Sequence, residues 1–262
     1  MITVGGFLEK FGERISALGY ILRNPGYAEV RRGGGARDLY RLLNKPWLQR
    51  HSIGTVLDVG ANEGQFIKPA RVLFPKASIL AFEPNPRLIQ SLQNILPPEI
   101  GAVCQMACGR EAGTIPLHLM NFSPASSLLR PTSLRIPDFP AAETEETIEV
   151  KVGRLDFVVR GHPLARKPYL LKIDVQGFEL EVLQGAVDIL PDVSAIVCEV
   201  NAVSFYEGQA GFEDIYGFVR QHNFKLVDIG EPIRNRSTGE VLYFDIAFLN
   251  ISGGPSPASL SV

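Results

Sequence analysis

Residues 55–66, Thr-Val-Leu-Asp-Val-Gly-Ala-Asn-Glu-Gly-Gln-Phe, constrain the chain more than any other stretch. Val56, Leu57 and Val59 form a short apolar run that predicts a parallel strand covered on both faces. Gly60 and Gly64 then let the backbone turn tightly and approach a ligand with no Cβ in the way. Asp58 puts a carboxylate at the end of that strand, awkward in a core but useful beside a cationic group of a ligand. A second run, Ser78–Phe82, ends in Glu83, and Pro84-Asn85-Pro86 breaks the chain directly after it. An acid about 20 residues beyond a glycine turn is where a βαβ nucleotide site places its acceptor for ribose hydroxyls. Asn62 and Gln65 stand where the dinucleotide fingerprint needs its second and third glycines, which disfavours a nicotinamide dehydrogenase.

A ligand with adenosine at one end and an amino acid at the other, S-adenosylmethionine, fits this turn better. Strand–Asp-x-Gly-x-x-x-Gly–helix followed by strand–Glu is the entry pattern of class I methyltransferases, and the chain resembles the FkbM family more specifically. The resemblance rests on Asp58-Val59-Gly60-Ala61-Asn62-Glu63-Gly64, Phe82-Glu83-Pro84-Asn85-Pro86, Ala125-Ser126-Ser127-Leu128 and above all Leu171-Lys172-Ile173-Asp174-Val175-Gln176-Gly177-Phe178-Glu179. Cys198-Glu199-Val200 and Phe244-Asp245-Ile246-Ala247-Phe248 complete the ordered set, which covers roughly residues 54–250. It implies an α/β fold: a doubly wound, Rossmann-like, seven-stranded and mostly parallel sheet with helices on both faces. It also implies that Gly60, Ala61, Asn62 and Gly64 line the methionine end with Asp58 nearby. Phe66, Pro84 and Asn85 would border the cofactor, Glu83 would accept from the ribose hydroxyls, and Ala107 and Cys108 would lie near adenine. Ser126 would face the site, and Asp174 would position the cofactor's amino group or act in catalysis.

Length and composition fit one such domain. At 262 residues and 45% hydrophobic content the chain buries a sizeable core. A net charge of −2 argues against a nucleic-acid partner. Cys104, Cys108 and Cys198 lie in apolar stretches without metal-ligand spacing and read as reduced thiols. No apolar run approaches the ~20 residues that span a bilayer, and the first residues lack the pattern of a secretory signal, so a cytoplasmic protein is expected.

The expected organisation is a helical extension over 1–52, a methyltransferase domain over 53–251 and a flexible tail over 252–262. Phe7, Leu8, Phe11, Ile15, Leu18 and Leu22 recur at helical spacing. That helix would pack on the main domain or on a second copy in a homodimer, with a lid over the acceptor site or a membrane-surface contact as the sharper alternative. Arg31-Arg32-Gly33-Gly34-Gly35 reads as a flexible basic loop. Asn85 caps a helix from Pro86 to Leu96, and Val103–Ala107 is expected as the third strand. Ile115–Met120 and Thr147–Val152 read as extended segments around a long loop. Tyr169–Ile173 predicts a buried strand, with a helix after it through Leu180, Leu183, Val187 and Leu190 to Pro191. Ala195–Val200 brings Glu199 and Asn201 to the same rim, and Phe224–Ile229 and Val241–Leu249 close the sheet.

Asp174 and Glu199 are the candidate catalytic residues, as general bases for an acceptor hydroxyl. His118 and His222 are alternatives, and Lys172 with Asp174 would equally make a structural ion pair. Carboxylates at one rim leave a divalent metal open, but no compact ligand motif supports one. The expected function is O-methylation of a sugar, glycolipid or secondary metabolite. N- or carboxyl methylation of a peptide-derived metabolite, or a non-catalytic cofactor- or partner-binding module, are the other readings.

Overall fold

The computed structural model describes residues 19–121, 123–134, 136 and 143–252. Most of the expected helix over 7–22 and nearly all of the expected tail over 252–262 lie outside them.

The apolar runs become strands buried along their whole length: β1 (Thr55–Val59), β2 (Ser78–Phe82) and β7 (Tyr169–Ile173). Alternate residues feed opposite layers. Leu57, Val59, Leu80 and Phe82 join one core cluster, and Val56, Ile79 and Ala81 the other. A strand with two apolar faces needs helices on both sides. One face is covered by α2 (Arg37–Leu43), α4 (Ile67–Leu73) and α5 (Pro86–Ile95). The other is covered by α6 (Leu155–Gly161), α7 (Glu179–Gln184) and α8 (Phe212–Gln221). The strands β3 (Gly101–Cys104), β8 (Val193–Asn201), β9 (Phe224–Ile229) and β11 (Val241–Asn250) complete the order β3-β2-β1-β7-β8-β11-β9. β11 runs antiparallel to both β8 and β9. This is the doubly wound class I methyltransferase sheet with its reversed strand.

The expected strand count needs correction. The 230–240 connection holds β10 (Ile233–Arg234), which shares with β9 one edge of β11 and makes the sheet 8-stranded. The third strand does not run from Val103 to Ala107. It ends at Cys104, whose carbonyl accepts from Glu83 N at 3.1 Å and from Met106 N at 2.9 Å. That tight turn sends Ala107–Cys108 (β4) into a second, 3-stranded sheet with β5 (Gly113–Met120) and β6 (Thr144–Gly153), in the order β4-β6-β5. The helix expected to Pro191 stops early as well. The Gly185 carbonyl accepts from Asp156 N instead of continuing the ladder, and Val187–Asp192 forms a 3-10 turn that accommodates Pro191.

Ahead of β1, residues 19–23 are helical, followed by α1 (Pro25–Arg32), α2 and α3 (Pro46–Gln49). Tyr27, Val30 and Tyr40 pack against Val72 and Leu73 of α4. The Arg31–Gly35 stretch is not a loose loop: Arg31 and Arg32 close α1, and Gly35 N returns to Val30 O at 3.0 Å. A Cβ on Gly35 would crowd Lys68, Val30 and Pro69.

Gly60 is the tightest point of the sheet edge. Its φ is +80°, and a Cβ there would overlap the carbonyl oxygen of Asp174. Left-handed backbone costs a residue with a Cβ about 1–2 kcal/mol before any overlap. Gly60→Ala is therefore expected to lose at least about 2 kcal/mol, seen as a lower denaturant midpoint with an unchanged slope.

Candidate functional site

A cavity of about 440 Å³ opens at the carboxyl ends of β1, β2, β7 and β8, where open α/β sheets bind ligands. Its floor is built by turns. Gly60 N and Ala61 N both donate to Phe82 O, at 3.0 and 3.1 Å, which folds the β1 turn over the end of β2. Asn62 takes a positive φ of 45° and donates its backbone N–H to Glu83 Oε2 at 2.8 Å. Glu83 Oε1 accepts from Asn85 N, also at 2.8 Å, and Asn85 Oδ1 caps α5 through Arg87 N. One carboxylate thus joins the glycine turn to the start of α5. Burial raises the Glu83 pKa and the two N–H donors pull it back. Each carboxylate oxygen has a second acceptor direction free of these bonds.

Gly60, Ala61, Asn62, Phe66, Glu83, Pro84, Asn85, Ala107, Cys108, Ser126, Asp174 and Glu199, all expected at the site, line this one cavity. Asp58 and Gly64 do not. Gly64 has φ +79° and sits under α5, where a Cβ would meet Ile95, Ile67 and Leu92. Asp58 is fully buried, and its carboxylate faces Lys172 Nζ at 3.2 Å. Among the described residues its oxygens meet no donor besides that ammonium.

Lys172 holds the site's rear wall. Its Nζ donates to Gly60 O at 2.8 Å and lies 3.7 Å from Asp174 Oδ2. Burial opposes the ammonium charge, but Asp58 and Asp174 outweigh it and push the Lys172 pKa up. After β7 the chain turns through Gln176 (φ +58°) and Gly177 (φ +98°). Glu179 shapes this turn by accepting from Val175 N at 3.0 Å and Gly177 N at 3.1 Å. Burial is the main reason its pKa is pushed up to about 7.

Gln176, to which the sequence reading assigns no role, lines the cavity and bridges its carboxylates. Its Nε2 donates to Asp174 Oδ1 at 2.8 Å and to Glu199 Oε1 at 2.9 Å, and its Oε1 meets Tyr206 OH at 2.9 Å. Its sequence signal is its place in the 171–179 motif, directly before Gly177. Burial, then the charges of Asp174, Asp245 and Glu179, push the Glu199 pKa well above the carboxylate range. Lys172, Asn201, Tyr206 and Tyr243 line the cavity as well.

The roof is built from residues 123–134 and 136. Ser126 Oγ accepts from Met120 N at 3.1 Å, and Ser127 Oγ donates to Gln176 O at 2.6 Å. Thr132 N donates to Phe205 O, and Tyr206 OH reaches Ala125 O at 2.9 Å. These bonds tie the roof to the rim after β8.

His118 and His222 do not reach the cavity. His118 Nδ1 pairs with Thr147 Oγ1 at 3.0 Å, and His222 Nδ1 with Phe218 O at 2.8 Å. Among the described residues no three His, Cys, Asp or Glu side chains are arranged to hold a metal ion, and no helix is long and apolar enough to cross a membrane.

Sheet order, reversed strand and edge cavity define a class I methyltransferase fold. The model of the methyltransferase FkbM domain matches residues 58–226, and the chain belongs to this family of methyltransferases. It is 29% identical over 248 residues to the 31-O-demethyl-FK506 methyltransferase FkbM of Streptomyces tacrolimicus, covering 81% of this chain and 91% of that protein. It is 29% identical over 169 residues to the hexuronic acid methyltransferase AglP of Haloferax volcanii, covering 64% of this chain and 63% of that one. A crystal structure of an FkbM methyltransferase from Methylobacillus flagellatus aligns with a TM-score of 0.47 at 16% identity, over 88% of this chain and 60% of its own.

Two outcomes follow from the buried charges. Removing one partner of a buried ion pair costs about 3–5 kcal/mol. Lys172→Met is expected to lose that much in equilibrium denaturation, and Asp58→Asn in the same chain is expected to restore part of it. The Glu179 pKa rises on folding from 4.5 to about 7, so the folded state binds the proton more tightly. Its contribution is then most favourable below pH 4.5 and is lost as pH rises to about 7. Unfolding free energies measured from pH 5 to pH 8 should fall less steeply in Glu179→Gln, which keeps an acceptor oxygen for Val175 and Gly177.

Proposed function

We propose that this chain is an S-adenosylmethionine-dependent O-methyltransferase acting on a hydroxyl of a sugar, glycolipid or secondary metabolite. The observation that carries the cofactor reading is Glu83: a carboxylate fixed by two backbone N–H groups at the cavity wall, beside the Gly60 turn, with acceptor directions left over. That is the chemistry that holds ribose hydroxyls. Gly60, Ala61 and Asn62 border the methionine end, with Asp58 and Gly64 supporting the turn from behind. Phe66, Pro84 and Asn85 border the nucleoside, Ala107 and Cys108 form the apolar slot for adenine, and Ser126 closes it from the roof. The names of the relatives in Streptomyces and Haloferax, one a 31-O-demethyl-FK506 methyltransferase and one a hexuronic acid methyltransferase, support a hydroxyl acceptor.

S-adenosylmethionine, when bound, supplies a methyl carbon on a sulfonium whose departing thioether needs no acid. The chain then has to hold the acceptor oxygen in line and accept its proton. Alignment contributes more to the rate, since effective molarities reach ~10⁵–10⁸ M. Asp174, at the cavity with 35% of its side chain exposed, takes the proton onto its carboxylate. Glu199, joined to Asp174 through Gln176 Nε2 at the same wall, is the second candidate to take that proton. Gln176 fixes the spacing of the two groups. The free thiols of Cys104, Cys108 and Cys198 support a reducing compartment and so a cytoplasmic protein.

Calorimetric titration of S-adenosylhomocysteine is expected to give a dissociation constant in the micromolar range, weakened about tenfold or more in Glu83→Ala. Folded protein, free of copurified nucleoside, that shows no binding overturns the reading.

A further inference from the structure

Asp245 belongs to the closing Phe-Asp-Ile-Ala-Phe motif and does not itself line the cavity. It lies on β11 directly across from Glu199 of β8, in register as an antiparallel pair. Opposed residues of such a pair have Cβ atoms about 4.5–5.5 Å apart, and like charges there repel. Asp174 adds a third carboxylate through the Gln176 bridge to Glu199. Lys172 answers this group, but it is already engaged by Asp58 at 3.2 Å and by Gly60 O at 2.8 Å. Neither an ion pair nor a hydrogen bond satisfies the Asp245 carboxylate among the described residues. Mutual repulsion on this scale is costly, and burial and Asp174 accordingly push the Asp245 pKa up to about 7.

The carboxylates gather at one end of the cavity, Asp174 and Glu199 in its wall and Asp245 behind Glu199. Gly60, which borders the methionine end, abuts the backbone of Asp174. The reacting sulfur therefore comes to the carboxylate end, which rests on the cofactor assignment proposed above. Sulfonium and thioether differ there by one positive charge, while adenosine, amino group and carboxylate are the same in both. A charge-poor interior magnifies that difference.

We propose that Asp245, with Glu199 and Asp174, makes this site select the positively charged methyl donor over its neutral product, so that loss of the charge on transfer weakens binding and favours product release. Asp245 acts through the field it sets behind Glu199 and is a specificity determinant, not a catalytic residue.

The test needs no acceptor. Dissociation constants of S-adenosylmethionine and S-adenosylhomocysteine are measured calorimetrically on the full chain at pH 8.5, above the value of about 7 for Asp245. The donor is expected to bind about tenfold tighter than the product. Asp245→Asn should cut that ratio several-fold by weakening the donor while leaving the product within about twofold. Glu199→Gln, a second isosteric change, should act in the same sense and serves if the first variant does not fold. Product binding as tight as the donor in the wild type, or a ratio unmoved in both variants, overturns the inference and leaves the cofactor assignment standing. Binding of neither ligand overturns the assignment and the inference with it.

Discussion

The arrangement of the cavity depends on one buried cation. Lys172 and Asp58 are direct partners in the register of β7 and β1, so their side chains stand together on one face of the sheet. The ammonium also donates to the carbonyl of Gly60, the first residue of the turn. A single group therefore links the two central strands to the loop that must sit tightly against them. A buried pair of this kind is weak support for stability, because desolvation opposes the Coulombic gain. Its use here is positional. Replacing it with hydrocarbon would keep the core filled but leave the Gly60 carbonyl without its donor, at the point where backbone must be held for a ligand.

Two further carboxylates repeat a second device. Glu83 accepts the N–H groups of Asn62 and Asn85, and Glu179 accepts those of Val175 and Gly177. Glu83 directly follows β2 and Glu179 opens α7 after the turn that leaves β7, and each meets backbone donors past a strand end that would otherwise be buried without partners. Each closes a turn whose residues adopt positive φ, Asn62 in one and Gln176 and Gly177 in the other. The cavity walls are the outer surfaces of these two turns. The roof is tied across the rim by backbone bonds from Thr132 and Glu207 and by the Tyr206 hydroxyl.

The central strands and their terminal acids were legible because buried parallel strands are continuous apolar runs, and an acid followed by Pro-Asn-Pro has no packing reason to end one. Hence Ser78–Phe82 and Tyr169–Ile173 emerge with the expected bounds. Asp58 was legible as unusual but not as to its partner. Its position beside Lys172 depends on which strand becomes the neighbour of β1, and that is a property of the sheet order. The break after Cys104 was hidden because Gln105 and Met106 interrupt nothing in the pattern. The turn is set by two donors competing for one carbonyl. The split at Gly185 was hidden for a similar reason, since the donor to its carbonyl, Asp156 N, comes from another helix.

The reversed strand explains why Asp245 stands directly behind a residue of the cavity wall. In a parallel strand the rim receives the last residues, as β7 delivers Asp174 and β8 delivers Glu199. β11 runs the other way, so its early residues, Tyr243 and Asp245, are the ones brought to the rim, opposite Asn201 and Glu199. A sequence reading that looks for function at strand ends passes over them. The antiparallel register then fixes Asp245 against Glu199 with no freedom to slip, because a shift of one residue would turn Ile246 and Phe248 out of the core. The pairing of the two carboxylates is thus fixed by hydrophobic register. A fold assembled this way holds a carboxylate directly behind the cavity wall, at a distance set by strand pairing.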